Sequence, residues 1–232
     1  MSLQAVILAG GLGTRLRPIT ETVPKPMVPV AGRPYLEYQI DWLRKLEITN
    51  VVLLVGYLAE QVEGYFGDGR RFGVTIAYSR EPRPLGTGGA LKLALPLLAE
   101  SFLVLNGDSY LPVDYRPLAA LLESSGAEAV LAAYDNALGD TGVRHNLDVA
   151  GDGRVLRYEK GSRTPMTHVD AGAFMLRRRV LALTGAPEFS LENELFPALI
   201  ARRQLFALPV RQRFYDMGTP AGLAMLEEFL KR

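Results

Sequence analysis

Gln4-Ala5-Val6-Ile7-Leu8-Ala9-Gly10-Gly11-Leu12-Gly13-Thr14-Arg15-Leu16-Arg17 decides how this chain begins to fold. Ala5 to Leu8 is continuously apolar and ends at glycines, which predicts a strand over Gln4–Ala9 buried on both faces, as in a parallel sheet. Three glycines and two arginines follow at once. Glycines let backbone N–H groups approach an anion closely, and each guanidinium adds a planar multi-donor fork, so the loop is expected to cradle phosphate. The Walker spacing and the dinucleotide G-x-G-x-x-G spacing are both absent.

Further along the chain, Tyr35–Leu46 carries Leu36, Ile40 and Leu43 at helical spacing, and Val51–Val55 is a second continuous apolar strand. Helices over Ala59–Phe66, Gly89–Leu98 and Leu118–Ser124 alternate with strands over Val74–Tyr78, Phe102–Leu105 and Ala129–Ala133. That alternation predicts an α/β fold, a three-layer αβα sandwich around a mostly parallel mixed sheet. After about residue 135 the texture changes. Gly151-Asp152-Gly153 between two short apolar runs signals a hairpin, and the C-terminal half reads as more antiparallel. Val169–Leu176 is expected to rejoin the main sheet, Leu191–Arg202 to be a helix and Leu205–Val210 a strand. A last helix is capped by Thr219 with Pro220 in its first turn. One domain over 1–232 is the economical organisation, with no internal repeat or low-complexity linker.

Lys and Arg number 26 against 25 Asp and Glu, so no global basic field exists for a nucleic-acid backbone or an anionic membrane. No signal peptide or membrane-length apolar run is read. The lack of cysteine removes disulfides, thiolate metal sites and cysteine nucleophiles, and accords with a cytoplasmic location. His145 and His168 have no partner at metal-ligand spacing and are read as structural or surface residues, and Trp42 as core.

Pro24-Lys25-Pro26 fixes the backbone around one lysine, which suits a phosphate contact. Further blocks follow: Leu85-Gly86-Thr87-Gly88-Gly89, Asn106-Gly107-Asp108, Tyr158-Glu159-Lys160, Val169-Asp170-Ala171-Gly172 and Tyr215-Asp216-Met217-Gly218-Thr219-Pro220. With the opening loop, they resemble the nucleotide-sugar pyrophosphorylase family over nearly the whole chain and in family order, most closely its short bacterial mannose- and heptose-1-phosphate guanylyltransferases.

The resemblance implies a Rossmann-like nucleotidyltransferase fold and Mg²⁺-dependent transfer of a nucleotidyl group to a sugar 1-phosphate. Guanylyl transfer to a manno-configured sugar is the expectation, with uridylyl, thymidylyl or cytidylyl transfer, or a catalytically silent sensing subunit, as alternatives. It implies that Leu8, Gly10, Gly11, Gly13, Thr14, Arg15 and Lys25 bind the nucleotide, with Leu85, Gly86, Thr87, Gly107 and Asp108 around it. Arg15, Lys25, Asp108 and Asp216 would carry catalysis, and Asp108 and Asp216 would hold the metal. Glu159, Lys160, Asp170 and Gly172, with Gly142 and Glu194 on the same wall, would bind the sugar phosphate. Residues 1–135 then form mainly the nucleotide half and 136–232 the sugar-phosphate half. The partners implied are a nucleoside triphosphate and a sugar 1-phosphate, with no nucleic acid or membrane, and self-association stays open.

Overall fold

The structure is a computed structural model that describes residues 3–231. A seven-stranded sheet forms its centre. In chain order the elements are β1 (Gln4–Leu8), β2 (Pro29–Val30), β3 (Arg33–Pro34), α1 (Tyr35–Lys45), β4 (Asn50–Val55), α2 (Ala59–Phe66) and β5 (Thr75–Arg80). Then come α3 (Gly86–Leu93), β6 (Ser101–Asn106), β7 (Ser109–Tyr110), α4 (Arg116–Ser125) and β8 (Ala129–Tyr134). The chain closes with β9 (Leu147–Val149), β10 (Val155–Tyr158), β11 (Val169–Arg177), α5 (Phe196–Ala201), β12 (Leu205–Val210), β13 (Tyr215–Asp216) and α6 (Pro220–Leu230).

The sheet order is β12-β8-β11-β6-β1-β4-β5. Neighbours pair in parallel except at β11, which runs against both β6 and β8. The antiparallel texture expected of the C-terminal half is therefore confined to β11 and to small ladders, since β8 and β12 pair in parallel. The predicted hairpin is the β9–β10 pair.

The continuous apolar runs are explained by burial on both faces. In β1, Ala5 and Ile7 join the cluster under α1, α2 and α4, while Val6 joins the cluster formed with α3 and α5. Burying a Leu or Ile in either layer contributes roughly 1.5–3 kcal/mol, so the two clusters supply the main drive for the three-layer arrangement. Trp42 packs against the first cluster and donates its Nε1–H to the Val113 carbonyl at 2.9 Å, as a core residue should.

Two predicted helices have different bounds. α3 begins at Gly86 and gives way after Leu93 to a short 3₁₀ turn, Leu95–Leu97, because Pro96 has no N–H to continue an α-helix. The Leu191–Arg202 segment opens as a wide π-type turn, Leu191–Leu195, before α5. Beside the sheet, α6 packs with β2, β13 and the 3₁₀ turn Thr14–Leu16 over a third cluster containing Leu16, Val28, Tyr110, Met217 and Leu226.

Candidate active site

A cleft of about 710 Å³ opens where β1 and β6 end. The chain leaves β1 for β4 on one side and later returns to β6 on the other, so these ends diverge and leave a crevice. The first glycine loop forms its floor. Leu8, Gly10, Gly11, Gly13, Thr14 and Arg15 all line the cleft, as does Lys25 from the 3₁₀ turn that follows. Gly86 and Thr87, at the start of α3, form one wall. Gly107 and Asp108, between β6 and β7, form the other.

A two-residue ladder places the two candidate metal carboxylates. β13 pairs with β7 in the register Asp216 to Ser109, and the Met217 N–H donates to the Asp108 carbonyl at 2.9 Å. This draws Asp216 from the far end of the chain to the same cleft as Asp108. Lys25 Nζ donates to Asp108 Oδ2 at 2.5 Å. Burial, then repulsion from Asp108, pushes the Asp216 carboxyl up from its usual range, although the Gly218 N–H and the charges of Lys25 and Arg15 pull the other way. Arg15 reaches this corner too: a Cβ at Gly218 would lie 2.7 Å from Arg15 Nη2 and 2.8 Å from Asp216 Oδ1.

Two anionic groups that repel each other in partial burial form a fitting place for a divalent cation. Among the described residues no cluster of three His, Cys, Asp or Glu could hold a metal. Two hard oxygen donors suit Mg²⁺, which keeps waters and takes its remaining ligands from phosphates.

Across the cleft, Lys160 Nζ donates to Glu192 Oε1 at 2.9 Å. Asp170 lies at the back, only 8% exposed, accepting from the Tyr158 hydroxyl at 2.7 Å and from the Gly172 N–H at 2.8 Å. Burial pushes its carboxyl up against the opposing effects of Lys160 and these hydrogen bonds. Gly172 lies outside the lining. It has φ +78° within the irregular stretch of β11, and a Cβ there would meet Ser109 Cβ at 2.7 Å.

Other candidates lie outside the lining. Leu85 is buried under the α3 wall, and Glu159 is exposed. Gly142 is exposed in a loop that instead presents Val143 and Arg144 to the cleft. Glu194 is exposed and accepts from the Ser190 N–H at 2.9 Å, so it closes the N-terminus of the turn that starts there. The acid facing the cleft from that turn is Glu192. It was missed because several acidic residues share the segment and nothing in a wide turn's spacing says which faces inward. Glu81 was missed as well. It lies beside Gly10, takes the Leu85 N–H at 2.9 Å, and is pushed up by burial despite that bond.

Residues 4–232 match the model of the family described as nucleotidyl transferase. The chain belongs to that family. Among its nucleotidyl transferase relatives is the D-glycero-α-D-manno-heptose 1-phosphate guanylyltransferase of Aneurinibacillus thermoaerophilus, 31% identical over 94% of both chains. The mannose-1-phosphate guanylyltransferase of Mycobacterium tuberculosis is 34% identical over 94% of this chain, which spans 62% of that relative's length. The mannose-1-phosphate guanyltransferases of Saccharomyces cerevisiae and Eremothecium gossypii likewise match over 62% of their length. The crystal structure of HddC from Yersinia pseudotuberculosis complexed with GMP-PN superposes with TM-score 0.82 and 27% identity, covering 98% of this chain and 99% of that one. The family's fold is therefore the one described above.

Proposed function

We propose that this nucleotidyl transferase joins a nucleoside triphosphate to a sugar 1-phosphate and releases pyrophosphate, with GTP and a manno-configured acceptor, mannose or heptose 1-phosphate, as its substrates. The observation that carries this reading is the convergence on one cleft of two separate cationic groups. Arg15 and Lys25 stand on the glycine-loop side, and Lys160 stands opposite, beside the sugar-facing wall of Asp170 and Glu192. The choice of base and sugar rests on the named activities of the relatives.

Arg15 and the glycine-loop N–H groups hold the triphosphate in this reading, and Lys160 takes the acceptor phosphate. The acceptor's phosphate oxygen attacks the α-phosphorus, the bond to the pyrophosphate oxygen breaks, and pyrophosphate leaves. Both reactants are anionic, so the residues act chiefly by neutralising repulsion and holding the line of attack. The attacking phosphate is already ionised at neutral pH and needs no general base. Asp108 and Asp216 would hold Mg²⁺, which when bound supplies positive charge to the triphosphate and its leaving group. Lys25 leaves its bond with Asp108 or shares it, turning its remaining N–H donors toward the reacting phosphates. The β13–β7 ladder and the residues before β8 thus serve mainly the nucleotide, those after it mainly the sugar phosphate. A cytoplasmic site of action follows from the substrates this reading requires.

A matrix of four nucleoside triphosphates against several sugar 1-phosphates with Mg²⁺, read by pyrophosphate release, tests the assignment. Release should require both substrates and be fastest with GTP and a manno-configured acceptor. Full-rate release from the triphosphate alone would mark a hydrolase, and preference for another base would overturn the guanylyl assignment.

A further inference from the structure

We propose that Glu192 is the positioning residue for the acceptor phosphate, holding the Lys160 ammonium in the cleft and tying it to Thr87 on the nucleotide wall. This rests on the assignment of Lys160 to the acceptor. Each carboxylate oxygen of Glu192 has its own task. Oε1 accepts from Lys160 Nζ at 2.9 Å, while Oε2 accepts from the Thr87 hydroxyl at 2.7 Å and the Ser190 hydroxyl at 2.8 Å. The direction of the Thr87 bond is fixed, because the Leu191 N–H donates into Thr87 Oγ at 2.8 Å and leaves the hydroxyl proton to point at Glu192.

The Glu192 side chain is 9% exposed, which holds it from swinging away to water, whereas the Lys160 side chain is 49% exposed. One end of the pair is anchored and the other faces the cleft. An ammonium has three N–H donors, so Lys160 can keep Glu192 and still donate to an arriving phosphate. Without the anchor, a four-carbon side chain would lose its fixed position and pay rotamer entropy each time it engaged the acceptor.

The charge on Glu192 has a second effect. Burial alone would pull the Lys160 ammonium's pKa down, but the negative charges of Glu192, Asp170 and, behind them, Asp108 outweigh it and hold the value above ordinary. In return, Lys160 and the Thr87 hydroxyl hold the Glu192 carboxyl below its usual range against the opposing effect of burial. The Glu192 charge thus favours the ammonium form of Lys160.

Steady-state kinetics of E192Q, E192D and K160A across pH test this. Gln keeps the shape and can turn its oxygen to Lys160 and its amide to the two hydroxyls, so E192Q removes the charge with least disturbance. The acceptor KM of E192Q should rise about tenfold or more, the loss expected for a charged hydrogen bond. Its triphosphate KM should stay within twofold of the parent, and its acceptor KM should begin to climb at lower pH on the alkaline side. E192D keeps the charge at shorter reach, so its acceptor KM should rise while its alkaline limb stays at the parent position. A folded E192Q protein with acceptor KM within twofold and an unmoved limb would overturn the proposal, and so would an equal rise in both KM values. Should E192Q fail to fold, E192D carries the test alone, and an unchanged acceptor KM in it overturns the proposal. An unchanged acceptor KM in K160A would instead remove the assignment of Lys160 itself, which separates the two failures.

Discussion

Asp216 carries a carboxylate into partial burial beside Asp108, so what it contributes to activity and to stability should have opposite signs. Its folded-state pKa is raised by burial and by Asp108. A raised carboxyl pKa contributes most below the unfolded value, and its contribution is lost as pH rises through the folded value. At neutral pH the ionised group therefore destabilises the ligand-free fold. Asp216→Asn keeps an oxygen for the Gly218 N–H while removing the charge. Its melting temperature at pH 7 should be no lower than the parent's, while kcat falls about a hundredfold or more if the carboxylate stabilises the transition state by roughly 3 kcal/mol. Thermal melting and steady-state assays on the same preparation check both halves, and a variant turning over within a few-fold of the parent would remove Asp216 from the metal site. The companion Asp108→Asn should lose activity similarly, with Lys25 losing the charge of its partner.

Part of the cleft lining was legible in the sequence. The glycine loop, Lys25, Asp108, Lys160 and Asp216 were all readable because each sits in a dense motif, and all reach the cleft. Glu81 and Glu192 were not, since an acid just after a strand, or one of several around a turn, looks like any solvated carboxylate until the fold buries it.

At the scale of elements, the short pieces govern the site. β7 and β13 hold two residues each, too few for a period of two to show, yet their pairing is what aligns Asp216 with Ser109 beside Asp108. α6 locks this ladder from outside. A Cβ at Gly222 would overlap the Asp216 carbonyl oxygen, so only glycine lets the helix approach. Gly222→Ala should push β13 off its register and lower kcat at least tenfold, while circular dichroism of the main sheet and its helices stays near the parent's, because the two large clusters do not include α6. Parent-like activity would show that the ladder does not position Asp216. The long strands and helices were legible in advance, since burial on both sides of the sheet writes itself as unbroken apolar runs. Strand order was not, because the pairing of β11 between β6 and β8 depends on contacts distant in sequence.

For the whole molecule, the cleft joins residues from both ends of the chain, so ligand binding should stabilise the fold as a unit. A ligand that binds only the native state adds about 2.7 kcal/mol at one hundred times its dissociation constant. GTP with Mg²⁺ should raise the melting temperature more than GTP with a chelator, and the difference should vanish in Asp216→Asn. An equal rise with and without the metal would argue that nucleotide binding does not involve the two carboxylates.

In the proposed reaction the nucleotidyl group passes directly between two phosphates held by this cleft, without a covalent enzyme intermediate. The chain has no cysteine, and its two histidines are outside the cleft lining. Turnover of a triphosphate made chiral by sulfur at the α-phosphorus reads this most directly. A single in-line displacement predicts inverted configuration in the nucleotide-sugar product. Net retention, the result of two successive displacements through a nucleotidyl-enzyme, would contradict it.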